Sequence, residues 1–231
     1  MKSQETIAIV GGGRLGRALT AALRTAGVRV SGPHGRGFAG TAVDAVLLCV
    51  PDTEIAAAAA AIVPGPLVGH CSGATELEAL APHEAFGLHP LMTVTHAGAD
   101  FAGAGAAVAG TTERALDLAT RLAQRLGMRP FALAEHDRAA YHAGASMASN
   151  FLVTLEEAAQ RVSGIERELL LPLVQATVDR WAAEGAASLT GPIARGDEGT
   201  VIRHREAIAD RAPDLLELYD VLADATRAVA A

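Results

Sequence analysis

The first half of the chain alternates short apolar runs with amphipathic stretches. The apolar runs predict buried strands at residues 6–10, 28–31, 45–50, 67–70, 85–88, 106–109 and 129–133. Apolar residues at helical spacing predict helices between them at residues 14–26, 55–62, 76–81 and 112–126. Strands that alternate with helices are typical of an α/β domain with a mostly parallel sheet.

The second half shows only helical periodicity. It predicts helices at residues 136–162, 166–184, 201–209 and 213–229. A boundary near Ala134 is therefore expected, with an α/β domain at residues 1–133 and an all-α domain at residues 134–231.

The first strand leads directly into a glycine turn, Gly11-Gly12-Gly13-Arg14-Leu15-Gly16, and then into a helix. In this setting Gly11 permits a tight turn, Gly13 lets the backbone approach a pyrophosphate, and Gly16 lets the helix pack on the strand. Arg14 and Leu15 begin the helix whose N-terminus would hold the diphosphate. The pattern predicts a Rossmann-type, dinucleotide-binding domain.

The end of the second strand bears on the choice of cofactor. NAD-selective folds place a carboxylate there, whereas the segment from Ser31 to Arg36 has none. Ser31, His34 and Arg36 could receive a 2′-phosphate, which favours NADP, with NAD still possible. The alternative is that Arg36 is a solvated loop charge. Only thirteen residues, many of them Gly, separate this strand from the next, so one Rossmann unit is expected to be abbreviated.

Composition and charge exclude several classes of function. The net charge is −7 and the pI is about 5.6, which argues against binding to nucleic acid or to acidic membranes. No apolar run is long enough to span a membrane and the start has no signal-like segment, so a cytoplasmic protein is expected. Cys49 and Cys71 form no CxxC motif, so no structural disulfide is expected. The histidine spacings predict no metal site.

Two strand ends carry candidate chemistry. Ser72 follows one strand and His89 lies at the end of another, and ligands of open α/β sheets gather at the carboxyl ends of strands. His89 could exchange a proton with a substrate carbonyl or hydroxyl, and Ser72 could orient the same oxygen. The alternative is that His89 and Pro90 simply terminate a strand.

The helical half carries two more candidate groups. His142, Ser146 and Asn150 recur every four residues and are expected on one helix face, either lining a substrate cleft between the domains or packing on a second helix. In the loop of residues 189–200, Thr190 and Arg195 are candidate substrate ligands, Arg195 as a bidentate anchor for a carboxylate. Asp197 could cap the next helix or hold Arg195. The alternative for the glycines of this loop is that they only end one helix and begin the next.

These motifs together resemble a known group. The motifs are Gly11 to Gly16, Val50-Pro51-Asp52, Ser72-Gly73, Gly87 to Pro90, His136-Asp137 and Leu189 to Asp197. They are similar to Rossmann-like oxidoreductases with a C-terminal helical domain of unknown function. That group is similar to the 6-phosphogluconate dehydrogenase superfamily, which includes pyrroline-5-carboxylate reductase, ketopantoate reductase and prephenate dehydrogenase.

The resemblance implies a nicotinamide enzyme, often dimeric, in which Val50 and Pro51 border the cofactor. Ser72 and His89 resemble the serine and substrate-binding histidine of prephenate dehydrogenases. Ketopantoate reductases instead use a lysine on the first long helix with an asparagine four residues on. Here His142 and Ser146 have that spacing, Asn150 lies one turn beyond, and the only lysine is Lys2, which excludes a lysine general acid.

The sequence therefore predicts an NADP-preferring oxidoreductase that reduces a C=O or C=N bond of a small carboxylated metabolite. The family resemblance alone makes a ketopantoate-like acid the first candidate. His89 is the expected proton donor, Ser72 would orient the reacting atom, and Asn150 and Arg195 would hold the substrate. A homodimer through the helical domain is also expected. The alternative from another class is a regulatory protein that senses NADP(H) without turnover.

Overall fold

The computed structural model describes residues 5–231 and divides the chain into two units. The first unit ends at Met147 and the second comprises Ala148–Ala231. The last strand ends at Ala132, close to the expected boundary, and the short helix that follows it belongs to the first unit.

The first unit contains a seven-stranded sheet in the order β2-β1-β3-β4-β5-β6-β7. The strands are β1 Thr6–Val10, β2 Arg29–His34, β3 Ala45–Leu48, β4 Leu67–His70, β5 Ala85–Leu91, β6 Gly105–Gly110 and β7 Arg129–Ala132. All neighbours are parallel except β5 and β6. The expected α/β fold with a mostly parallel sheet is confirmed.

Four α-helices accompany the sheet in the described part of the first unit. They are α1 Arg14–Thr25, α2 Ile55–Ala60, α3 Glu113–Arg125 and α4 Arg138–Ser146. The chain passes from β2 to β3 without a helix in this described segment, so the Rossmann unit is abbreviated there as expected. The helix expected at residues 76–81 is a 3-10 turn, Leu77–Leu80, because so short a segment completes hardly one turn.

Alternation along the central strands explains why helices cover both faces of the sheet. In β1, Ile7 and Ile9 join one apolar cluster, while Ala8 and Val10 join a second. Successive strand residues point to opposite faces, so both faces are apolar. The first cluster includes Leu19 and Leu23 of α1 and Leu118 and Leu122 of α3, and the second includes Ile55 and Ala59 of α2.

The second unit is helical and has few buried side chains. Its helices are α5 Leu152–Ser163, α6 Arg167–Glu184, α7 Glu198–Arg211 and α8 Leu216–Ala230. The single helix expected at residues 136–162 is wrong in one respect, because a π-helical turn at Met147–Phe151 separates α4 from α5. None of the described helices is both long and apolar enough to cross a membrane.

Candidate active site

The glycine loop after β1 is packed on one side and open on the other. Gly11 has a φ of +107°, and a Cβ there would lie 2.3 Å from the Cys49 carbonyl oxygen. A Cβ on Gly16 would lie 1.9 Å from the Gly11 carbonyl oxygen. Gly12 and Gly13, by contrast, have open space where a Cβ would stand. Close packing therefore requires glycine at positions 11 and 16, whereas the backbone at Gly12 and Gly13 is open to a ligand.

The N-terminus of α1 lies immediately after this open backbone. Gly13 is its N-cap and supplies no side-chain hydrogen bond, so the first N–H groups of the helix are available to an anion. Arg14 and Leu15 form the start of this helix, as the sequence predicts. The loop therefore fits a dinucleotide diphosphate, with the bare backbone of Gly12 and Gly13 as the contact surface.

The end of β2 holds the residues expected near a 2′-phosphate. His34 Nε2 lies 3.0 Å from Ser31 Oγ, and the His34 ring stacks on Phe38 with 3.9 Å between centroids. Arg36 donates to Glu54 at 3.2 Å, and its side chain is 73% exposed. Arg36 is thus a solvent-facing charge with an acidic partner that a phosphate would have to displace, and its cofactor role stays a prediction.

The loops after β3 and β4 continue this edge of the sheet. Cys49 lies against the Gly11 and Gly16 positions, and its Sγ is 3.7 Å from the Sγ of Cys71, both as free thiols. The hydrogen bond with Cys49 and burial raise the pKa of the Cys71 thiol. Val50 Cγ1 would lie 3.3 Å from a Cβ on Gly11, and Pro51 follows it. The carboxyl ends of three parallel strands therefore meet here.

Ser72 lies in the turn after β4, where it is buried and its hydroxyl both donates and accepts hydrogen bonds. Its hydroxyl donates to Asp52 Oδ2 at 2.8 Å and accepts from the N–H groups of Ala74 and Thr75 at 3.2 and 2.9 Å. These bonds hold the turn after β4 in shape. The predicted substrate role of Ser72 stays a prediction, because its proton is already donated to Asp52.

His89 lies within β5 and not at its end. The strand expected at residues 85–88 continues to Leu91, with His89 opposite Ala107 and Pro90 opposite Ala106 on β6. The alternative that His89 and Pro90 terminate a strand is therefore wrong. The pairing of β5 with β4 ends at Gly87, so the absent N–H of Pro90 removes no bond to β4.

Gly73, His89 and His142 come together beside the turn after β4. A Cβ on Gly73 would lie 3.0 Å from His89 Cε1, 3.1 Å from His89 Nε2 and 3.1 Å from His142 Cδ2. Burial lowers the pKa of His89 to about 4, and the charges of His142 and Arg138 act in the same direction. The Asp52 carboxylate acts in the opposite direction and is outweighed. His89 is therefore neutral near pH 7. On its other side, His89 Nδ1 lies 2.6 Å from the Tyr141 hydroxyl.

Arg138, which is only 3% exposed, joins the segment after β7 to the same turn. It donates to Glu135 Oε1 at 2.9 Å and to the Ser72 carbonyl oxygen at 3.4 Å, while Glu135 Oε2 accepts from Leu77 N–H at 2.7 Å. The carboxylate compensates the buried charge, as a buried cation requires.

His70 is completely buried at the end of β4. Its Nδ1 accepts from the Ser72 N–H at 3.2 Å, and its Nε2 has no partner in the described part of the chain. Burial, and next the charge of Arg138, lowers the pKa of His70 to about 4.

The remaining predicted site residues are placed differently. Ser146 ends α4, whereas Asn150 lies in the π-helical turn, which has more residues per turn than an α-helix and so breaks the spacing that predicted one face for both. Asn150, Thr190 and Arg195 are exposed residues of the second unit, and their roles stay predictions. Asp197 caps α7 by accepting from the Thr200 N–H at 3.0 Å, the first of its two alternatives.

Sequence reasoning missed Asp52, Tyr141 and Arg138 as site residues. Asp52 stood in a recognised motif and Tyr141 beside His142, but their bonds to Ser72 and His89 cross 20 and 52 residues of chain. No group of three or more His, Cys, Asp or Glu side chains that could hold a metal occurs within residues 5–231.

The fold is that of Rossmann-type oxidoreductases with a helical second part. A candidate NADP oxidoreductase from Bacteroides fragilis is 20% identical with a TM-score of 0.80, covering 97% of this chain and 98% of that one. A protein from Thermotoga maritima is 23% identical with a TM-score of 0.79 and the same coverage. A pyrroline carboxylate reductase from Plasmodium falciparum, with NADP bound, is 12% identical with a TM-score of 0.57, covering 98% of both chains. At these identities the likeness establishes the fold.

Residues 104–226, more than half of the chain, match the model of a domain of unknown function, DUF2520, and the chain belongs to that family. This agrees with the resemblance given by the sequence motifs. No protein with a curated function matches the sequence.

Proposed function

We propose that this protein is an NADP(H)-dependent oxidoreductase that reduces a C=O or C=N bond of a small carboxylated molecule. The observation that carries the proposal is the shared sheet edge. The open glycine loop after β1 and the turn after β4 that holds Gly73 lie at carboxyl ends of strands of one sheet and are linked by Cys49 and Cys71. His89 of β5 faces Gly73 in that turn. In open α/β sheets this edge is where ligands bind.

The residues present fit a dinucleotide. There is no room for a side chain at Gly11 or Gly16, whereas the backbone of Gly12 and Gly13 is open to a ligand. The first N–H groups of α1 have no capping side chain and can bind the diphosphate. Ser31 and His34 would lie toward the ribose, and Arg36, if released from Glu54, would bind a 2′-phosphate. When bound, a reduced nicotinamide supplies two electrons as hydride. The solved structure of the Plasmodium pyrroline carboxylate reductase holds NADP in the same fold.

His89 is the side chain that we assign to the reacting atom. Neutral imidazole donates through one nitrogen, and the His89 Nε2 edge faces the space that Gly73 leaves free of a side chain. An N–H directed at a carbonyl oxygen or imine nitrogen stabilises the negative charge that develops there, and water would supply the proton that completes the reduction. Ser72 acts through Asp52 and the turn, and keeps Gly73 in place against the ring.

A carboxylated substrate is proposed from the cationic side chain in the loop of residues 189–200 of the second unit. Arg195 is exposed there, and Thr190 offers a hydroxyl five residues earlier. A guanidinium binds a carboxylate through two parallel hydrogen bonds. Pyrroline carboxylate, the substrate in the name of one structural neighbour, is a cyclic imine with a carboxylate, and a ketopantoate-like acid is the corresponding C=O candidate.

We also propose that the protein is a homodimer through its second unit. None of the 18 residues of α6 is buried in the described chain, although Leu169, Leu173 and Trp181 are 71%, 67% and 64% exposed. In the same unit, α5, α7 and α8 line an apolar groove of about 380 Å³. Each chain therefore has both an apolar helix and an apolar groove, and a second copy can cover them reciprocally, as twofold symmetry requires.

The cofactor assignment is tested by isothermal titration with NADPH and NADH. We expect NADPH to bind more tightly, and we expect Arg36→Glu to remove roughly a tenfold preference, since one charge-assisted contact contributes about 1–2 kcal/mol. Arg29→Glu, at an exposed position at the start of β2, the strand that ends two residues before Arg36, is the matched control. Equal affinities in the unmodified protein would contradict NADP selectivity.

Turnover is tested by following NADPH oxidation with keto acids and cyclic imino acids. Oxidation by any member of the panel supports a reductase. Tight NADPH binding with no oxidation across the panel would instead support the sensor alternative.

A further inference from the structure

The chain contains two histidine–tyrosine pairs of similar geometry. In the first unit His89 Nδ1 lies 2.6 Å from the Tyr141 hydroxyl, with the rings edge-on at 89°. In the second unit His204 Nδ1 lies 2.9 Å from the Tyr219 hydroxyl, with the rings at 82°. The first pair lies beside the turn after β4, and the function proposed above makes no use of Tyr141.

The donor of the Tyr141–His89 hydrogen bond can be inferred from the acceptors available to the Tyr141 hydroxyl proton. Burial raises the pKa of Tyr141, so its hydroxyl remains protonated near pH 7. Within the described residues, His89 Nδ1 is the hydrogen-bond partner of that hydroxyl. If Nδ1 donated instead, the Tyr141 hydroxyl proton would have no acceptor among residues 5–231, and His89 Nε2 would be unprotonated. Donation by Tyr141 leaves Nδ1 as acceptor and Nε2 as the protonated nitrogen.

We infer that Tyr141 is a positioning residue that fixes His89 in the tautomer with its proton on Nε2, so that the site presents an N–H donor to a hydrogen-bond-accepting substrate atom. The part of this inference that concerns a substrate rests on the proposed function, whereas the tautomer of His89 is inferred from the structure alone. Phe131, whose ring centroid is 5.9 Å from that of Tyr141, supports the tyrosine ring edge-on.

Nitrogen NMR of the full-length protein labelled with ¹⁵N-histidine tests this. Long-range ¹H–¹⁵N correlations distinguish a protonated ring nitrogen from an unprotonated one, and His89→Gln identifies the His89 signals by their loss. We expect His89 in the unmodified protein to be a single tautomer protonated on Nε2. In Tyr141→Phe we expect both nitrogen shifts to move toward the average of the two tautomers.

Tyr219→Phe is the matched control, because it removes the corresponding hydroxyl from the second pair and should change the His204 signals while leaving those of His89 in place. A His89 ring protonated on Nδ1, or unchanged His89 shifts in folded Tyr141→Phe, would overturn the inference. If Tyr141→Phe does not fold, the spectrum of the unmodified protein decides. Because the readout needs neither cofactor nor substrate, failure of NADPH turnover would refute the proposed function and leave this result standing.

Discussion

The two units of this chain use their apolar residues differently. In the first unit both faces of the sheet are covered by helices, and residues such as Ile7, Leu47 and Phe86 are completely or almost completely buried. In the second unit the buried hydrophobic residues are Val201, Ile208, Ala212 and Ala223, while the large apolar side chains of α6 are exposed. A single copy therefore completes the core of the first unit and leaves that of the second incomplete.

The two units therefore differ in how the effects of substitutions are expected to appear. The first unit can hold its polar group of Ser72, His89 and Arg138 in place because the surrounding core is packed and leaves few alternative arrangements. Under the proposed dimer, the second unit gains stability from the covering of its apolar surface. We therefore expect substitutions in the first unit to change chemistry at fixed assembly, and substitutions on α6 to change assembly.

The largest expected effect is on assembly. Leu173→Lys combined with Trp181→Lys places charges at two strongly exposed apolar positions of α6. Each change occurs twice in a twofold dimer, and losing about 2 kcal/mol at each of four positions weakens association about 10⁵-fold or more. Sedimentation velocity at micromolar concentration should show a dimer before and a monomer after.

The matched control is Arg180→Ala, which removes an exposed side chain of the same helix that pairs with Glu184. It should remain a dimer. An unmodified protein that sediments as a monomer would contradict the proposed interface and the comparison between the units.

The next effect is on turnover. His89→Ala should lower kcat by about 10² to 10⁴ while NADPH affinity changes little, because the ring faces Gly73 and not the glycine loop. Arg195→Ala should instead raise KM for a carboxylate more than it lowers kcat. Steady-state kinetics on a substrate found by the panel separate the two.

His136→Ala is the control for His89, since it removes an exposed imidazole from the segment just before α4. It should leave both constants near their original values. Full activity in His89→Ala would remove His89 from the reaction.

The smallest effect is on acid stability. The pKa values of His70 and His89 are lowered to about 4 in the folded protein, whereas an unfolded histidine has a pKa of about 6.5. Below pH 6.5 the unfolded chain binds more protons, so stability falls as the pH drops toward 4. Lowering the pH from 7.5 to 5 should cost about 2 kcal/mol for each of the two histidines.

Urea unfolding at the two pH values measures this loss. His89→Gln should reduce it by the share of one histidine. An unchanged loss in His89→Gln would mean that the imidazole is not held neutral by the fold.

The sequence by itself determined the fold of the first unit and the shape of its glycine loop. The apolar run of β1 and the GxGxxG motif are local, and so is the contact of Gly16 with the Gly11 backbone in the same turn. Gly11 meets the Cys49 backbone directly after the neighbouring strand β3. The absence of a helix between β2 and β3 was likewise visible from the number of residues available. Hydrophobic period and chain length suffice for such features because a buried strand allows few alternatives.

Only the tertiary structure decided which polar side chains meet. Tyr141 is 52 residues from His89, and Arg138 is 66 residues from the Ser72 carbonyl oxygen that it contacts. It also placed a π-helical turn where the sequence predicted an unbroken helix, so the four-residue spacing from Ser146 to Asn150 does not follow α-helical geometry. Periodicity reports which side of an element is buried, but hydrogen bonds between distant segments depend on how those elements pack, and no local pattern encodes that.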